Sequence, residues 1–568
     1  MATEQVELSG VDVSDERAAP HDVPNEAFPK LDEEEVEAIR AVATVETFAD
    51  GESVFHAGRA DVDLFIVKSG YIDIRNPTDN DRLITSHAPG EFAGDIDLLT
   101  RRPVIVNAVA RADVPGGRVE VLRVPADCVR DALNTVPRLG EKMITAFTAR
   151  REQLQRGGVL GLKVVGPGSC RDTTVVREFL YKNFVPFTWF DTEEEGGRAQ
   201  WEAMGRPKKT PSVECTDGTM LYNPPLLELA KCAGVWRDCP GEEVDLAVIG
   251  AGPAGLAAAV YAASEGLKTV VLDRLGPGGQ VGGSSLVENF IGFPAGLSGA
   301  ELAMRGCLQM LKFGAKMVAP VSVDALTPRQ DGSGLDLALS CGNALAAQVV
   351  LVATGVHWRK LDVPGARRFE RAGVYYACTS VEGFLHRGQE VAVIGAGNSA
   401  GQAVMFLAER AAKKVHLLVR KDEFGPGMSD YLAARIRAQH NVEVHTGVEV
   451  SAVHGNGHVE AADLKHTDGR TSTIGVNAIF VFIGAEPHAT WLPESVARDK
   501  LGYLLTGADA VKSGWWPLTD REPCPLETTL PRVLAGGDIR AGSTKRVGFA
   551  VGDGSLAVTC VHRIRAGH

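Results

Sequence analysis

Apolar and polar positions change their period several times along the chain, and each change marks a candidate boundary. Residues 1–33 show no period: the stretch is polar and acidic, carries Pro20, Pro24 and Pro29, and predicts a disordered arm. Over 34–155 a short helix gives way to strand-length apolar runs divided by glycine turns, as in SVFHAGRADVDLFIVKSGYIDI and GRVEVLRV. A helical period returns from Val136 to Leu154, and glycines at 157, 158 and 161 close the unit. Residues 162–238 read strand, helix, strand, helix, beginning LKVV, TTVVREFLYKN and PFTWFD and continuing through an acidic loop to Thr210-Pro211. From Glu243 onward, short wholly apolar strands each run into a helix of small residues, the alternation of parallel-sheet domains.

Two of those strand–helix junctions carry glycine-rich turns. The first strand from Asp245 enters Gly250-Ala251-Gly252-Pro253-Ala254-Gly255, and the helix LAAAVYAASEG follows. Glycine at 250 allows the tight turn, at 252 it lets backbone N–H groups approach a pyrophosphate, and at 255 it lets helix and strand close together. The helix N-terminus then faces the anion. The next strand, TVVLD, ends at Asp273, where a carboxylate binds a ribose diol. The second turn is Gly395-Ala396-Gly397-Asn398-Ser399-Ala400, and its next strand, VHLLV, ends in Arg420 and Lys421. Cations at that place suit a 2′-phosphate, which favours NADPH over NADH. Gly397-Asn398-Ser399-Ala400-Gly401 also fits the nucleophile-elbow pattern, but Gly395 completes a nucleotide turn and the hydrolase reading is set aside.

Composition narrows the class. A chain of 568 residues holds about three to five folding units, and its 45% apolar and 23% charged residues are those of a globular protein. A net charge of −13 argues against phosphate-backbone binding. No apolar run reaches the ~18 residues of a membrane span, and the acidic N-terminus has no export signal, so a cytoplasmic protein without membrane or nucleic-acid partners is expected. Ten scattered cysteines predict reduced thiols, and none forms Cys-x-x-Cys. Neither His-Glu-x-x-His nor a cysteine cluster is present, so no metal site is predicted.

Several motifs in order after the first turn are those of one family. They are Gly278-Gly279-Gln280, Glu288-Asn289 with FIGFP, Ala353-Thr354-Gly355, the second turn, and Gly536-Gly537-Asp538. With them, residues 243–568 resemble the low-molecular-weight thioredoxin reductases. The resemblance implies FAD held by Gly250, Gly252, Pro253, Ala254, Gly255, Asp273, Gly279, Gln280, Asn289, Ala353, Thr354, Gly355, Gly537, Asp538, Arg546 and Val547. The last of these stands where the family has Gln. It also implies NADPH held by Gly395, Gly397, Asn398, Ser399, Ala400, Arg420 and Lys421, on a segment 365–483 inserted between FAD-binding segments 243–364 and 484–568. The family's Cys-x-x-Cys falls on Cys378-Thr379-Ser380-Val381, so the flavin-proximal cysteine is replaced by valine. A dithiol relay needs both sulfurs.

Residues 162–238 resemble a glutaredoxin or thioredoxin fold, with Cys170-Arg171-Asp172-Thr173 at the active-site turn and Thr210-Pro211 at the cis-proline position. Cys170 reads as a monothiol site at a helix N-terminus or as part of a scaffold without redox chemistry; both readings stand. Residues 34–155 resemble the cyclic-nucleotide-binding domain of catabolite-activator-type regulators through Pro89-Gly90-Glu91-Phe92-Ala93-Gly94-Asp95 and Arg101-Arg102-Pro103. Gly94, Asp95 and Arg102 are the pocket candidates. Val104 stands where the family has its phosphate-binding Arg, which disfavours a cyclic nucleotide.

The predicted architecture is multidomain: a β-roll cyclic-nucleotide-binding-like domain, a thioredoxin-like α/β domain, and two Rossmann-like domains for FAD and NAD(P). The predicted activity is FAD-dependent oxidation of NADPH, passing electrons to an unidentified acceptor, a thioredoxin-like protein or a small molecule, in a homodimer. One alternative is a thioredoxin-disulfide reductase rerouted through Cys170 or Cys378. The other is a ligand-gated flavin redox sensor.

Overall fold

The computed structural model describes residues 26–567 apart from 158–160, 169, 285, 371, 379 and 424–426. Most of the predicted disordered arm therefore lies outside the described residues, as do Gly158 and Thr379. The chain forms two units, residues 1–160 and 161–568. Among the described residues no helix is long and apolar enough to cross a membrane.

The first unit is a pair of four-stranded antiparallel sheets. One runs in the order Thr44–Ala49, Arg118–Val124, Leu64–Ser69, Phe92–Ala93. The other runs Ser53–Phe55, Asn107–Arg111, Tyr71–Asn76, Arg82–His87. Val54, Phe55, Phe65, Ile72, Val119 and Val121 fill the space between them. The helix expected over Val136–Leu154 is Pro137–Gly157, and the helix Ala126–Thr135 before it was not anticipated. The boundary at residue 33 needs correcting too. Ala27 and Leu31, assigned with the arm, are buried, because Leu31 joins the core of this unit and the Ala27 carbonyl accepts a bond from Arg150 Nε at 2.6 Å.

The second unit begins with a mixed sheet in the order Phe187–Asp191, Leu162–Gly166, Ser212–Glu214, Met220–Tyr222. The first two strands are parallel and the last two antiparallel, and helices Arg171–Lys182, Glu195–Ala203 and Leu226–Cys232 complete it. The Thr210–Pro211 bond is cis. Cys215 and Cys232 are joined in a disulfide, which corrects the expectation of ten reduced thiols. The strand leading to Cys215 and the helix ending at Cys232 bring their Cα atoms to 5.7 Å, within disulfide range, a juxtaposition that sequence spacing does not reveal.

A second sheet follows the order Lys316–Val318, Thr269–Leu272, Val244–Ile249, Ala344–Val352, Leu335–Leu339, Val323–Pro328, with Val533–Ala535 added parallel to Ala344–Val352. A third, wholly parallel, runs Val374–Tyr375, Ala478–Val481, Glu390–Ile394, Lys414–Val419, Val442–Thr446. A three-stranded antiparallel sheet, Val448–His454, Ala461–His466 and Thr471–Gly475, follows it. The chain passes out to the inserted segment and back through the paired strands Val356–Trp358 and Ala485–Pro487.

Candidate cofactor-binding site

The strand Val244–Ile249 ends in Gly250 at φ 107°, a left-handed conformation that an L side chain rarely adopts. The turn then starts the helix Pro253–Ser264 with Pro at its first position, where its missing N–H costs nothing. A β-carbon at Gly255 would lie 1.9 Å from the Gly250 carbonyl oxygen, so helix and strand close only on glycine. Gly252 differs: a β-carbon there meets only the Gly279 Cα, at 3.8 Å. Its bareness serves the space in front of the turn rather than the packing behind it.

That space is a cavity of about 770 Å³, within the usual range of ligand clefts. Among the residues expected to hold FAD, Gly250, Gly252, Pro253, Ala254, Asp273, Gly279, Gln280, Asn289, Ala353, Thr354, Gly355, Gly537, Asp538, Arg546 and Val547 line it. Gly255 stands behind them. The Asp273 carboxylate accepts from the N–H groups of Ala251, Leu275 and Gly276, each at 2.8 Å, and so fixes the turn as well as bordering the cavity. The Asp553 carboxylate accepts from Gly537 N at 2.9 Å and pairs with Arg540 at 3.1 Å, holding the Gly-Asp motif in place. Burial raises the Asp538 carboxyl above its usual range, with Lys545 opposing. The bare glycines, the open approach to a helix N-terminus and the volume of the cavity all fit FAD.

The second turn reaches the same cavity. Asn398, Ser399 and Gln402, at the start of the helix Asn398–Arg410, line it. Gly395, Gly397, Ala400, Arg420 and Lys421 do not. Gly395 has φ 146°, and a β-carbon there would meet the Phe482 carbonyl oxygen at 2.6 Å. Arg420 is exposed beyond the end of its strand, with Glu449 3.7 Å away.

One wall was not foreseen from the sequence. Thr174, Glu178, Tyr181 and Lys182 of the helix Arg171–Lys182 line the cavity, and Lys182 Nζ donates to the Gly279 carbonyl at 3.3 Å. Asn183 Nδ2 donates to the Leu275 carbonyl at 2.8 Å. Counted from Cys170, positions 174, 178 and 182 are four apart, the one-face spacing that was the available signal. His357, Tyr375, Tyr376 and Glu382 also line it. The His357 and His488 rings stand edge to face at 4.1 Å, and burial lowers His357 to about 4.

The two candidate thiols are not brought together at the cavity. Cys378 is buried and beside Ser284, and burial, with the Glu382 charge added, pushes its thiol well up, the opposite of what a nucleophile needs. Val381 lies in the helix Ser380–Leu385. Cys170 is the N-cap of the helix Arg171–Lys182 and is half-buried. In its first turn, Thr173 Oγ1 is buried without a hydrogen-bond partner, and a β-carbon at Gly166 would meet both Thr173 Oγ1 and Pro211. Arg177, two turns along, stacks its guanidinium over Trp189 at 3.5 Å, and burial lowers it to about 10, with Glu382 and Asp191 opposing.

In the first unit the pocket candidates are engaged internally. The Asp95 carboxylate is paired with Arg151 at 2.6 Å and accepts from Asp97 N at 2.8 Å, while the Gly94 carbonyl accepts from Arg150. Arg102 is half-exposed and acts electrostatically on Asp97.

Residues 244–554 match the family described as pyridine nucleotide-disulphide oxidoreductase, and residues 45–136 match the cyclic nucleotide-binding domain. One subunit of the alkyl hydroperoxide reductase of Pseudomonas putida is 32% identical over 322 residues, 56% of this chain and 57% of that protein. The bifunctional thioredoxin reductase/thioredoxin of Mycobacterium leprae is 32% identical over 325 residues, 57% of this chain and 66% of that one. Among solved structures, the thioredoxin reductase of T. acidophilum is similar with a TM-score of 0.51 and 27% identity, covering 57% of this chain and 99% of that one. That of Lactococcus lactis, in its FR conformation, has a TM-score of 0.51 and 25% identity, covering 57% of this chain and all of the other. The chain spans a little over half the length of the first curated relatives it matches.

Proposed function

The chain belongs to the pyridine nucleotide-disulphide oxidoreductase family, whose thioredoxin-reductase-like members use FAD and NAD(P)H, and from that premise we propose an FAD-dependent NADPH oxidoreductase. In this reading it lacks the family's Cys-x-x-Cys and delivers electrons to an acceptor by another route. The observation that carries the proposal is that residues of both dinucleotide turns, Gly250 and Gly252 with Asn398 and Ser399, face one cavity. The chemistry FAD supplies when bound is acceptance of a hydride from the nicotinamide and release of the electron pair to a second acceptor. The chain's own part is positioning. The two helix N-termini receive pyrophosphates, Asp273 takes a ribose, and Arg420 with Lys421 selects the 2′-phosphate.

A second reading, disulfide reduction through Cys170, is favoured by the helix Arg171–Lys182. Its Thr174, Glu178 and Lys182 wall the cavity, and Cys170 begins the same stripe one turn, about 5.4 Å, earlier. The strand order of residues 162–238 supports a thioredoxin-like module there. An anaerobic NADPH titration of the purified protein, followed by oxidised thioredoxin, separates the readings. Bleaching of the flavin band is expected in the parent and in Cys170→Ser alike; no bleaching overturns the proposal. Reoxidation by thioredoxin that disappears in Cys170→Ser and survives in Cys378→Ser supports the thiol route. Bleaching without reoxidation leaves an acceptor of another kind.

A further inference from the structure

Outside the cavity lining, on the two strands that continue the third sheet beyond the strand of the second turn, two histidines and a glutamate converge. The strand Lys414–Val419 lies between Glu390–Ile394 and the edge strand Val442–Thr446. Parallel register sets His416 opposite Glu443 and Leu418 opposite His445, so His416, Glu443 and His445 share one face. His416 Nδ1 is 3.0 Å from His445 Nε2 and 3.8 Å from Glu443 Oε2, and His445 Nε2 is 3.5 Å from Glu443 Oε1. Donors bound at about 2.0–2.1 Å around a tetrahedral ion stand about 3.3–3.4 Å apart, and the separations of His445 Nε2 from His416 Nδ1 (3.0 Å) and from Glu443 Oε1 (3.5 Å) bracket that size.

The surroundings fix which nitrogen faces the triangle. His416 is 5% exposed, and its Nε2 is buried without a hydrogen bond, facing the Glu390 carboxylate at 3.6 Å. A lone pair there would face a negative charge, so Nε2 carries the proton and Nδ1 presents its lone pair to His445 and Glu443. Carboxylates behind the N–H of a ligating imidazole are the usual outer support of metal sites. Burial lowers both His416 and His445 from the usual imidazole range. The other charged groups facing the cluster are Lys414, which pairs with Glu443 Oε2 at 2.6 Å and leaves Oε1 free to ligate, and His466, which acts on His445.

We propose that His416, His445 and Glu443 form a binding site for a divalent transition-metal ion of the zinc class, with Glu390 supporting His416. Glu443 is about half exposed, which leaves a fourth position to water. The ion pins the edge strand Val442–Thr446 to its neighbour, and the site is independent of the cofactor cavity.

The test uses the full chain, stripped with EDTA and titrated with Co²⁺ while visible absorption is followed. One equivalent is expected to give d–d bands without thiolate-to-cobalt charge transfer, displaced by Zn²⁺. Glu390→Gln is expected to weaken binding about 10–100-fold. His445→Asn and the His416→Asn/His445→Asn pair are expected to abolish the bands, with flavin content and circular dichroism checking the fold. Absence of bands up to millimolar cobalt overturns the proposal, as do bands that persist in His445→Asn or that carry charge transfer from cysteine.

Discussion

At the scale of single residues, the first turn separates what the fold needs from what the ligand needs. A β-carbon at Gly255 would be 1.9 Å from a backbone oxygen of the same turn, which no rotamer change relieves. Gly255→Ala is therefore expected to destabilise the protein itself, by about 1–3 kcal/mol, seen as a lower thermal midpoint of the flavin-free form. Gly252→Ala adds a methyl 3.8 Å from its nearest neighbour, an ordinary contact, in a backbone conformation with φ −74° that alanine adopts. Its flavin-free form should melt with the parent, while FAD affinity falls roughly 10-fold or more, because the methyl occupies the approach of the pyrophosphate. Equilibrium dialysis of FAD on the two variants checks both halves. If Gly252→Ala binds FAD as the parent does, the turn is not a phosphate cradle.

At the scale of elements, local patterns were readable and distant partnerships were not. The strands ending at Ile249 and Ile394 and their following helices are written in consecutive residues, so period and glycine spacing reveal them. The helix Pro137–Gly157 shows the opposite case. Arg150 and Arg151 are both buried, because the helix packs against the turn at Gly94–Asp97, which its period does not reveal. The same gap hid the Cys215–Cys232 bridge, the wall from Thr174 to Lys182 and the pairing of His416 with His445. Asp97 gives this packing a pH signature. Burial raises its carboxyl to about 6, with Arg151 opposing. The folded state keeps this proton up to about pH 6, and the unfolded chain releases it near pH 4. The stabilisation from this group is thus complete below about pH 4 and is lost as pH rises to about 6. Asp97→Asn lacks the loss, so its stability relative to the parent should improve across that window by on the order of 2 kcal/mol. Hydrogen exchange of the amides at 92–99, corrected for intrinsic rate, measures it. A flat difference between pH 4 and 6 contradicts the assignment.

For the whole molecule, the division at residue 160 separates the cavity from the cyclic-nucleotide-binding-like unit. Every residue lining the cavity, from Thr174 to Ala550, belongs to residues 161–568, and the family match lies inside them. That fragment is expected to bind FAD at full stoichiometry and to be bleached by NADPH within about threefold of the parent rate, a change under 1 kcal/mol in the barrier. Removing residues 161–238 as well is a different change. It takes away Thr174, Glu178, Tyr181 and Lys182, the bond from Asn183 to Leu275 and the stacked Arg177 that sits electrostatically against Glu382. A wall that excludes water and oxygen is then missing, and NADPH oxidation by dissolved oxygen should rise several-fold over that of the 161–568 fragment. Oxygen-electrode rates of the three proteins decide it. Equal rates in the two fragments would mean that the helix Arg171–Lys182 borders the cavity without closing it.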